Sequence, residues 1–276
     1  MGKTKTKRRP KRGALTAATA DRHSLYEQSV QCPEADCEFF DEAFKRAYGR
    51  KATTLREDFC GTAFLSRTWV ELRKKNRAIG IDLDEPTLQY ARDNHMRKLG
   101  HKAERVELIR ADVNTVTDPK VEIIAAMNFS YLVFTTRSQL RAYFEKVHAS
   151  LQKEGLFILD LYGGPESMVV QEEETEYDDY SYVWDQAEFN PITHEAVCHI
   201  HFNFPGDGGS IERAFTYEWR LWTIPEVREV LEEAGFHDSV VFWEGTGADG
   251  EGNGEFKPST TGDDSSSFIV YIVAKP

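Results

Sequence analysis

Three acidic residues of this chain each end or follow a short stretch that is predicted as a strand. Glu57 closes the first stretch and leads into the small residues Cys60-Gly61-Thr62, Asp82 closes the second stretch, and Asp112 follows the third. A turn of small residues lets the backbone approach a ligand closely, and an acid at a strand end accepts a bond from a ligand hydroxyl or ammonium group. These spacings suit Asp82 to ribose hydroxyls and Asp112 to an adenine amino group, so we predict one nucleotide-binding crevice.

Strands and helices must alternate to bring these acids together, and the apolar pattern predicts that they do. This order requires right-handed crossovers and therefore a doubly wound α/β fold with a mostly parallel sheet, whose strands share one carboxyl edge. Strands are predicted at 52–58, 78–82, 105–110, 121–127 and 156–161, and helices at 33–48, 63–76, 85–99 and 137–151.

The alternation breaks after the fifth strand. Residues 166–179 are acidic and are predicted as a loop or a mobile helix. Residues 180–221 alternate and are rich in aromatic residues, which predicts an antiparallel excursion of about three strands.

The α/β pattern resumes near the C-terminus. Thr223 and Glu226 have the spacing of a capping box, which predicts a helix that ends at Gly235. Two further strands are predicted, near 237–243 and 267–274, and the Gly-, Asp- and Ser-rich linker between them, 245–266, is predicted to be flexible.

In this order the motifs resemble those of the class I S-adenosylmethionine-dependent methyltransferases. Cys60-Gly61-Thr62 resembles the family's first motif, Gly80-Ile81-Asp82-Leu83 the second and Ala111-Asp112-Val113 the third. The turns at 151–156 and 233–236 resemble those that precede the family's fifth and sixth strands. A dehydrogenase is the competing class, and it is disfavoured because the first turn lacks the G-x-G-x-x-G pattern.

The resemblance implies a Rossmann-like sheet of seven strands, with the excursion inserted after the fifth, and S-adenosyl-L-methionine as the cofactor. Phe59 and Ala63 depart from the family pattern because glycine is usual at both positions. We expect Phe59 to wall off the methionine part of the pocket. The resemblance also implies that residues 21–31 fold over the cofactor. The cofactor-binding residues that it implies are Tyr26, Glu57, Phe59, Cys60, Gly61, Thr62, Ala63, Asp82, Leu83, Asp112, Val113, Asn128 and Phe129.

The acceptor end of the site is defined less sharply. The fourth strand ends in Asn128-Phe129-Ser130-Tyr131, at an edge that faces the transferred methyl in this family. The prolines of the related N-P-P-Y motif are missing, so an ordinary strand-end turn is the alternative. The catalytic residue stays unknown, with Tyr131, Tyr162 and the histidines of the excursion as candidate bases. Substrate contacts are predicted for Tyr131, Tyr162, Trp184, Tyr217 and Trp219.

The excursion has two alternative roles, a lid over the acceptor or the interface of a homodimer. His199 and His201 share a strand face, but no further ligand is spaced to complete a metal site, so no metal is predicted. The acidic run at 172–179 is interpreted as a solvated loop, with attraction of a cationic amine as the alternative.

Composition limits the cellular setting. The chain of 276 residues has a net charge of −12, four cysteines without paired spacing, and no apolar run long enough to cross a membrane. We therefore predict a cytoplasmic protein with no membrane contact. Residues 1–12 hold seven lysines and arginines and no acid, which allows a contact with nucleic acid.

We divide the sequence into a disordered basic tail, 1–20, and a methyltransferase domain, 21–276, in which 166–221 is an inserted lid or dimerisation region. The leading functional hypothesis is methyl transfer to a small-molecule acceptor, such as an amine. The alternatives are an RNA or protein methyltransferase that docks through the tail, and a non-catalytic module that binds the cofactor.

Overall fold

The computed structural model describes residues 15–247 and 252–276, and these residues form two compact units. The core unit comprises residues 32–167 and 222–276, and the insertion unit comprises residues 15–31 and 168–221. Within the described ranges, no helix is long and apolar enough to span a bilayer.

The elements of both units are labelled here in chain order. The helices are α1 (Arg22–Val30), α2 (Pro33–Tyr48), α3 (Phe64–Leu72), α4 (Glu85–Ala91), α5 (Arg97–Leu99), α6 (Arg137–Ser150) and α7 (Ile224–Glu233). The strands are β1 (Thr54–Asp58), β2 (Arg77–Asp82), β3 (Val106–Arg110), β4 (Val121–Ala126), β5 (Leu151–Gly163), β6 (Gln171–Glu176), β7 (Ser181–Asn190), β8 (Glu195–Asn203), β9 (Ser210–Arg220), β10 (Asp238–Thr246), β11 (Gly252–Ser259) and β12 (Phe268–Lys275).

The core unit is built on a sheet with the strand order β11-β10-β12-β5-β4-β1-β2-β3. Strands β1 to β5 pair in parallel, and β10, β11 and β12 add antiparallel pairs at one side. The predicted doubly wound, mostly parallel sheet is confirmed. Chain order reverses between the neighbours β1 and β4, so their carboxyl ends form the topological switch point, where ligands of such sheets bind.

Local sequence signals explain the predicted helices. The capping box of α7 is confirmed, since Thr223 accepts from the backbone of Glu226 and the Glu226 side chain accepts in return. Helix α2 ends at Gly49, whose φ of 72° is left-handed and suits glycine. Helix α6 buries residues at a spacing of three and four, so that they share one face: Leu140, Tyr143, Phe144 and Val147.

The insertion unit contains a second sheet, with the order β6-β7-β8-β9, in which neighbouring strands are antiparallel. The predicted strands of the excursion, β7 to β9, are confirmed. Helix α1 packs on this sheet through Leu25, which is buried with Ile200 and Phe202. Residues 22–31 therefore belong to the insertion unit, whereas the sequence analysis assigned them to the methyltransferase domain.

Three sequence predictions need correction. The acidic segment 166–179 contains strand β6 because its backbone pairs along β7 despite its charge. The linker 245–266 contains β11, paired with β10, which makes an eighth strand in the core sheet, and residues 248–251 lie outside the described residues. Of the tail predicted to be disordered, residues 15–20 form a turn in which Ala17 donates to the Gly208 carbonyl over 2.9 Å. The basic residues 1–12 lie outside the described residues.

A buried ion pair fixes the carboxyl end of β1. Arg56, 1% exposed, donates from Nε to Asp58 Oδ1 over 2.6 Å and from Nη2 to Asp58 Oδ2 over 3.1 Å. Its three remaining N–H groups bond to the carbonyls of Val113 and Val116 and to the Ser150 hydroxyl. All five donors of this guanidinium are thus satisfied, which is the condition under which a buried charge is tolerated.

Arg56→Lys is expected to lower the free energy of unfolding by about 3–5 kcal/mol, because an ammonium group cannot reach all five acceptors and leaves Asp58 underpaired. Urea denaturation measures the change. The control is Arg141→Lys, at an exposed pair with Glu145, where a change within about 0.5 kcal/mol is expected. Equal changes in the free energy of unfolding at the two positions would show that the buried pair stabilises the fold no more than an exposed pair does.

Candidate active site

The turn after β1 carries the first predicted motif. Gly61 donates its backbone N–H to Asp82 Oδ2 over 2.8 Å, and Cys60 donates to the Ile81 carbonyl over 2.9 Å. A Cβ added to Gly80 would meet Cys60 Sγ at 2.9 Å, so glycine at this position lets β2 and the turn approach closely. The structure therefore brings the first two predicted motifs together, through hydrogen bonds that join the turn to the end of β2.

The backbone of this turn explains how Phe59 and Ala63 replace glycine. Their φ angles are 57° and 56°, in the left-handed region, and Gly61 between them has a φ of 51°. Left-handed backbone costs a residue with a side chain roughly 1–2 kcal/mol. The turn thus keeps the glycine conformation without glycine, and the Phe59 ring lies 5.7 Å from the ring of Tyr143.

Two features of the turn fit a nucleotide-type cofactor. The Thr62 hydroxyl is buried and has no hydrogen-bond partner among the described residues. A Cβ built on Gly61 would meet none of their atoms within 4 Å, so open space adjoins the turn. An unpaired buried hydroxyl beside open space is suited to a ligand, since an orphaned buried polar group is otherwise costly.

Glu57 lies below the turn rather than open to solvent. Its Oε2 atom accepts from the Ser66 backbone over 2.9 Å and from the Ser66 hydroxyl over 2.6 Å, at the start of α3. Burial raises the pKa of Glu57 to about 8, against the lowering effect of the Ser66 bonds. Its contacts make Glu57 a residue that joins β1 to α3.

The other predicted acids occupy the same carboxyl edge. Asp82 Oδ1 accepts from the Asp84 backbone over 2.9 Å, and Asp112 Oδ1 accepts from the Asn114 backbone over 2.9 Å. Asp112 is exposed, so its outer oxygen is open to a ligand. Of their predicted neighbours, Leu83 is 65% exposed and available for contact, whereas Val113 is 4% exposed and packs in the interior.

The loop after β4 has an unusual backbone. Asn128 and Phe129 have φ angles of 56° and 58°, so two consecutive residues with side chains are left-handed. Asp160 on the neighbouring strand β5 accepts from both, over 2.7 Å from the Asn128 N–H and 2.8 Å from the Phe129 N–H. Burial raises the pKa of Asp160 to about 7.

The predicted substrate residues fall in different places. Tyr131 is fully buried, with a hydroxyl that has no hydrogen-bond partner in the described structure, and its predicted substrate contact stays a prediction. The short helical turn after β4 directs the Tyr131 ring inward, towards Phe144. Tyr162 packs 5.9 Å from the Phe129 ring, at the carboxyl edge of the core unit.

The remaining candidates belong to the insertion unit and form one aromatic cluster there. Tyr217 lies 4.5 Å from Trp219 and 6.0 Å from Trp184, measured between ring centroids. Tyr26, predicted near the cofactor, packs 5.0 Å from Phe215 on the same sheet. Their predicted roles in binding cofactor or substrate stay predictions.

The paired histidines are engaged in hydrogen bonds. His199 Nδ1 lies 2.9 Å from the Thr216 hydroxyl, and His201 Nε2 lies 3.3 Å from Asp185 Oδ2. The described residues hold no group of three or more His, Cys, Asp or Glu side chains placed to bind a metal ion.

Three residues of this region were missed by sequence reasoning. Arg56, Asp58 and Asp160 are charged residues inside strands of the core sheet. Each is at most 6% exposed, a burial that charged side chains tolerate only when they are hydrogen-bonded. Only Asp160 carried a signal in the sequence, as a charge within an apolar run, and its partners are distant along the chain.

Residues 59–155 match a family model described as a methyltransferase domain. No curated protein sequence matches the chain.

Several solved structures share the fold. One is an S-adenosylmethionine-dependent methyltransferase from Clostridium acetobutylicum, with a TM-score of 0.68 and 15% identity over 92% of this chain and 96% of that one. Another is CalS10, an amino pentose methyltransferase from Micromonospora echinaspora, solved with S-adenosylmethionine, with a TM-score of 0.64 and 14% identity over 92% and 96% of the two chains. A third is the sugar N-methyltransferase KedS8 from Streptoalloteichus, with a TM-score of 0.63 and 14% identity over 100% and 99%.

Residues 59–155 thus match a methyltransferase domain, and the fold of the chain is that of solved S-adenosylmethionine-dependent methyltransferases. The resemblance of the sequence motifs predicted the same class of domain.

The raised pKa of Glu57 generates a prediction about stability. Between about pH 4.5 and pH 8 the folded protein keeps this proton while the unfolded chain has lost it, so the free energy of unfolding falls as pH rises. Glu57→Gln cannot ionise, and its stability relative to wild type is expected to improve from pH 5 to pH 9.

Thermal unfolding across this pH range measures the difference, in the absence of added cofactor. Glu145→Gln, at an exposed position, serves as the control and should give a curve parallel to wild type. A curve for Glu57→Gln that also stays parallel to wild type contradicts the raised pKa.

Proposed function

We propose that this enzyme transfers the methyl group of S-adenosylmethionine to the amine nitrogen of a small molecule, of the amino sugar type. The observation that carries the proposal is the acidic carboxyl edge of the core sheet, where Asp82 and Asp112 lie without an ion-pair partner among the described residues. Among the described residues, no lysine, arginine or histidine forms an ion pair with Glu57, Asp82, Asp112 or Asp160.

Negative charge of this kind favours cations, and the proposed reaction supplies them. A carboxylate held in a partly dry crevice attracts a positive group more strongly than it does in water. The donor carries a positive sulfonium group, and an amine acceptor arrives largely as an ammonium ion. The names of two similar structures, an amino pentose methyltransferase and a sugar N-methyltransferase, agree with such an acceptor.

The residues at the switch point have distinct tasks in this proposal. Asp82 accepts the ribose hydroxyls while its bond to Gly61 keeps the turn closed. Thr62 pairs its otherwise unpartnered hydroxyl with the ligand, and Asp112 accepts from the adenine amino group. These contacts place the ligand along the carboxyl ends of β1, β2 and β3, as expected for an open α/β sheet.

When bound, S-adenosylmethionine supplies a methyl group that is already activated for transfer. The new nitrogen–carbon bond forms as the carbon–sulfur bond breaks, and the electron pair of that bond stays on sulfur. The chain therefore has to align the nitrogen, exclude water and let the ammonium lose its proton beforehand. Alignment falls to the Gly61 turn and the loop at Asn128 and Phe129, which adjoin the switch point.

The acceptor class is tested with matched sugars. The enzyme is incubated with S-adenosylmethionine labelled in its methyl group and with pairs of sugars that differ only in an amino or a hydroxyl group. Label is expected in the amino sugars alone, at a rate that increases with pH as the ammonium ion loses its proton. Label confined to hydroxyl sugars, RNA or protein overturns the proposal.

Asp82→Asn is expected to weaken S-adenosylmethionine binding by about 1–3 kcal/mol, because a bond from a ribose hydroxyl to a charged acceptor is lost. Calorimetry gives the affinity, and thermal unfolding shows whether the Gly61 turn survives. The control is Asp93→Asn, an exposed acid paired with Arg97, which should bind as wild type does. An unchanged affinity in a folded Asp82 variant removes Asp82 from the ribose site.

A further inference from the structure

We infer that Asp160 is a positioning residue for methyl transfer, which acts through the backbone of Asn128 and Phe129. The inference rests on the proposed function, because it concerns the loop beside the transferred methyl. It adds a role for a residue of β5 that none of the predicted motifs contains.

The loop is held in a conformation that its own residues disfavour. Asparagine tolerates left-handed backbone, but phenylalanine does not, and here the two follow each other. Asp160 offsets this cost by accepting both N–H groups, one on each carboxylate oxygen, over 2.7 and 2.8 Å. Bonds to an ionised acceptor are about twice as strong as neutral ones.

The position of Asp160 follows from strand register. Strand β5 pairs in parallel with β4, and Ala126 is opposite Leu159, so Asp160 comes next to the point where β4 ends. Ser130 closes the other side of the loop, since its hydroxyl donates to the Met127 carbonyl over 2.7 Å. Hydrogen bonds therefore hold both sides of the loop without a ligand.

The surroundings of Asp160 indicate more than a structural bond. The Asp160 carboxyl group is 6% exposed and forms no ion pair within residues 15–247 and 252–276, while Asp36 and the Tyr131 hydroxyl are close enough to affect its charge. A buried anion without a cation is costly, so purely structural roles favour neutral acceptors. A positive group bound beside the loop would offset this cost, and the sulfonium donor carries such a group whereas the product does not.

The donor and product are therefore the right probes, because S-adenosylmethionine and S-adenosylhomocysteine differ by a methyl group and one positive charge. Asp160→Asn keeps the side-chain size but replaces one acceptor oxygen with a donor and removes the charge. We expect its affinity for S-adenosylmethionine to fall about tenfold and that for S-adenosylhomocysteine less than about threefold, measured by calorimetry.

A matched control separates this role from stability. Glu122 is also 6% exposed and also accepts two backbone N–H groups, from Thr53 and Thr54, but at the opposite end of the strands. Glu122→Gln should lower the melting temperature and leave the ratio of the two affinities unchanged.

A glycine variant tests the backbone part of the argument. Phe129→Gly removes the larger cost of left-handed backbone, so in the Asp160→Asn background it should restore part of the lost melting temperature. In wild type the gain should be smaller, because Asp160 already holds the loop, and the difference between the two backgrounds measures the coupling.

The outcomes are distinguishable. If wild type binds neither ligand, the proposed function fails. If wild type binds both and folded Asp160→Asn keeps the wild-type ratio of affinities, the proposed function stands and the positioning role is rejected.

Discussion

The candidate site depends on a guanidinium group buried beneath it. Arg56 and Asp58 lie two residues apart on β1, so their side chains point to the same face of the central strand. Through the remaining donors of Arg56 this pair holds the segment after β3 and the end of α6, and the Tyr143 hydroxyl adds a bond to Asp58 over 2.9 Å. The chain segments that bear Glu57 and Asp112 are therefore tied to one charged centre.

Above this centre the structure keeps features that oppose stability. Acidic side chains share one edge without cationic partners among the residues that the structure describes, and left-handed backbone occurs at four residues with side chains: Phe59, Ala63, Asn128 and Phe129. Such departures from local preference concentrate at functional sites. Specific bonds from the scaffold compensate some of them: Ser66 donates two bonds to Glu57, and Asp160 accepts from Asn128 and Phe129.

The sequence predicted what depends on nearby residues. Short motifs in the sequence predicted the turn at 59–63, the acids at strand ends and the capping box at Thr223. The structure confirms where these motifs lie relative to the strands and helices. What depends on distant partners was not predictable. Asp160 meets Asn128 only because β4 and β5 are neighbours, and no pattern near either residue indicates this.

The sequence analysis also missed two strands whose residue composition is not typical of strands. The acidic β6 and the glycine-containing β11 lack the alternation of a half-buried strand, yet both gain their hydrogen bonds from a neighbouring hairpin strand. Helix α1 has no clear apolar stripe. Its place in the insertion unit depends on Leu25 and Tyr26, which contact residues far along the chain.

The acidic character of β6 affects whether two copies of the protein can pair through this strand. This strand is the border of its sheet, and the residues along it include Glu172, Glu173, Glu174 and Glu176. A second chain that tried to extend the sheet there would place its own backbone against a row of negative charges, a common protection of open strand borders. At neutral pH a second copy of β6 would bring its own glutamates against this row, so like charges oppose that pairing. Strong acid or concentrated salt, which neutralises or screens the row, exposes the same border to self-association.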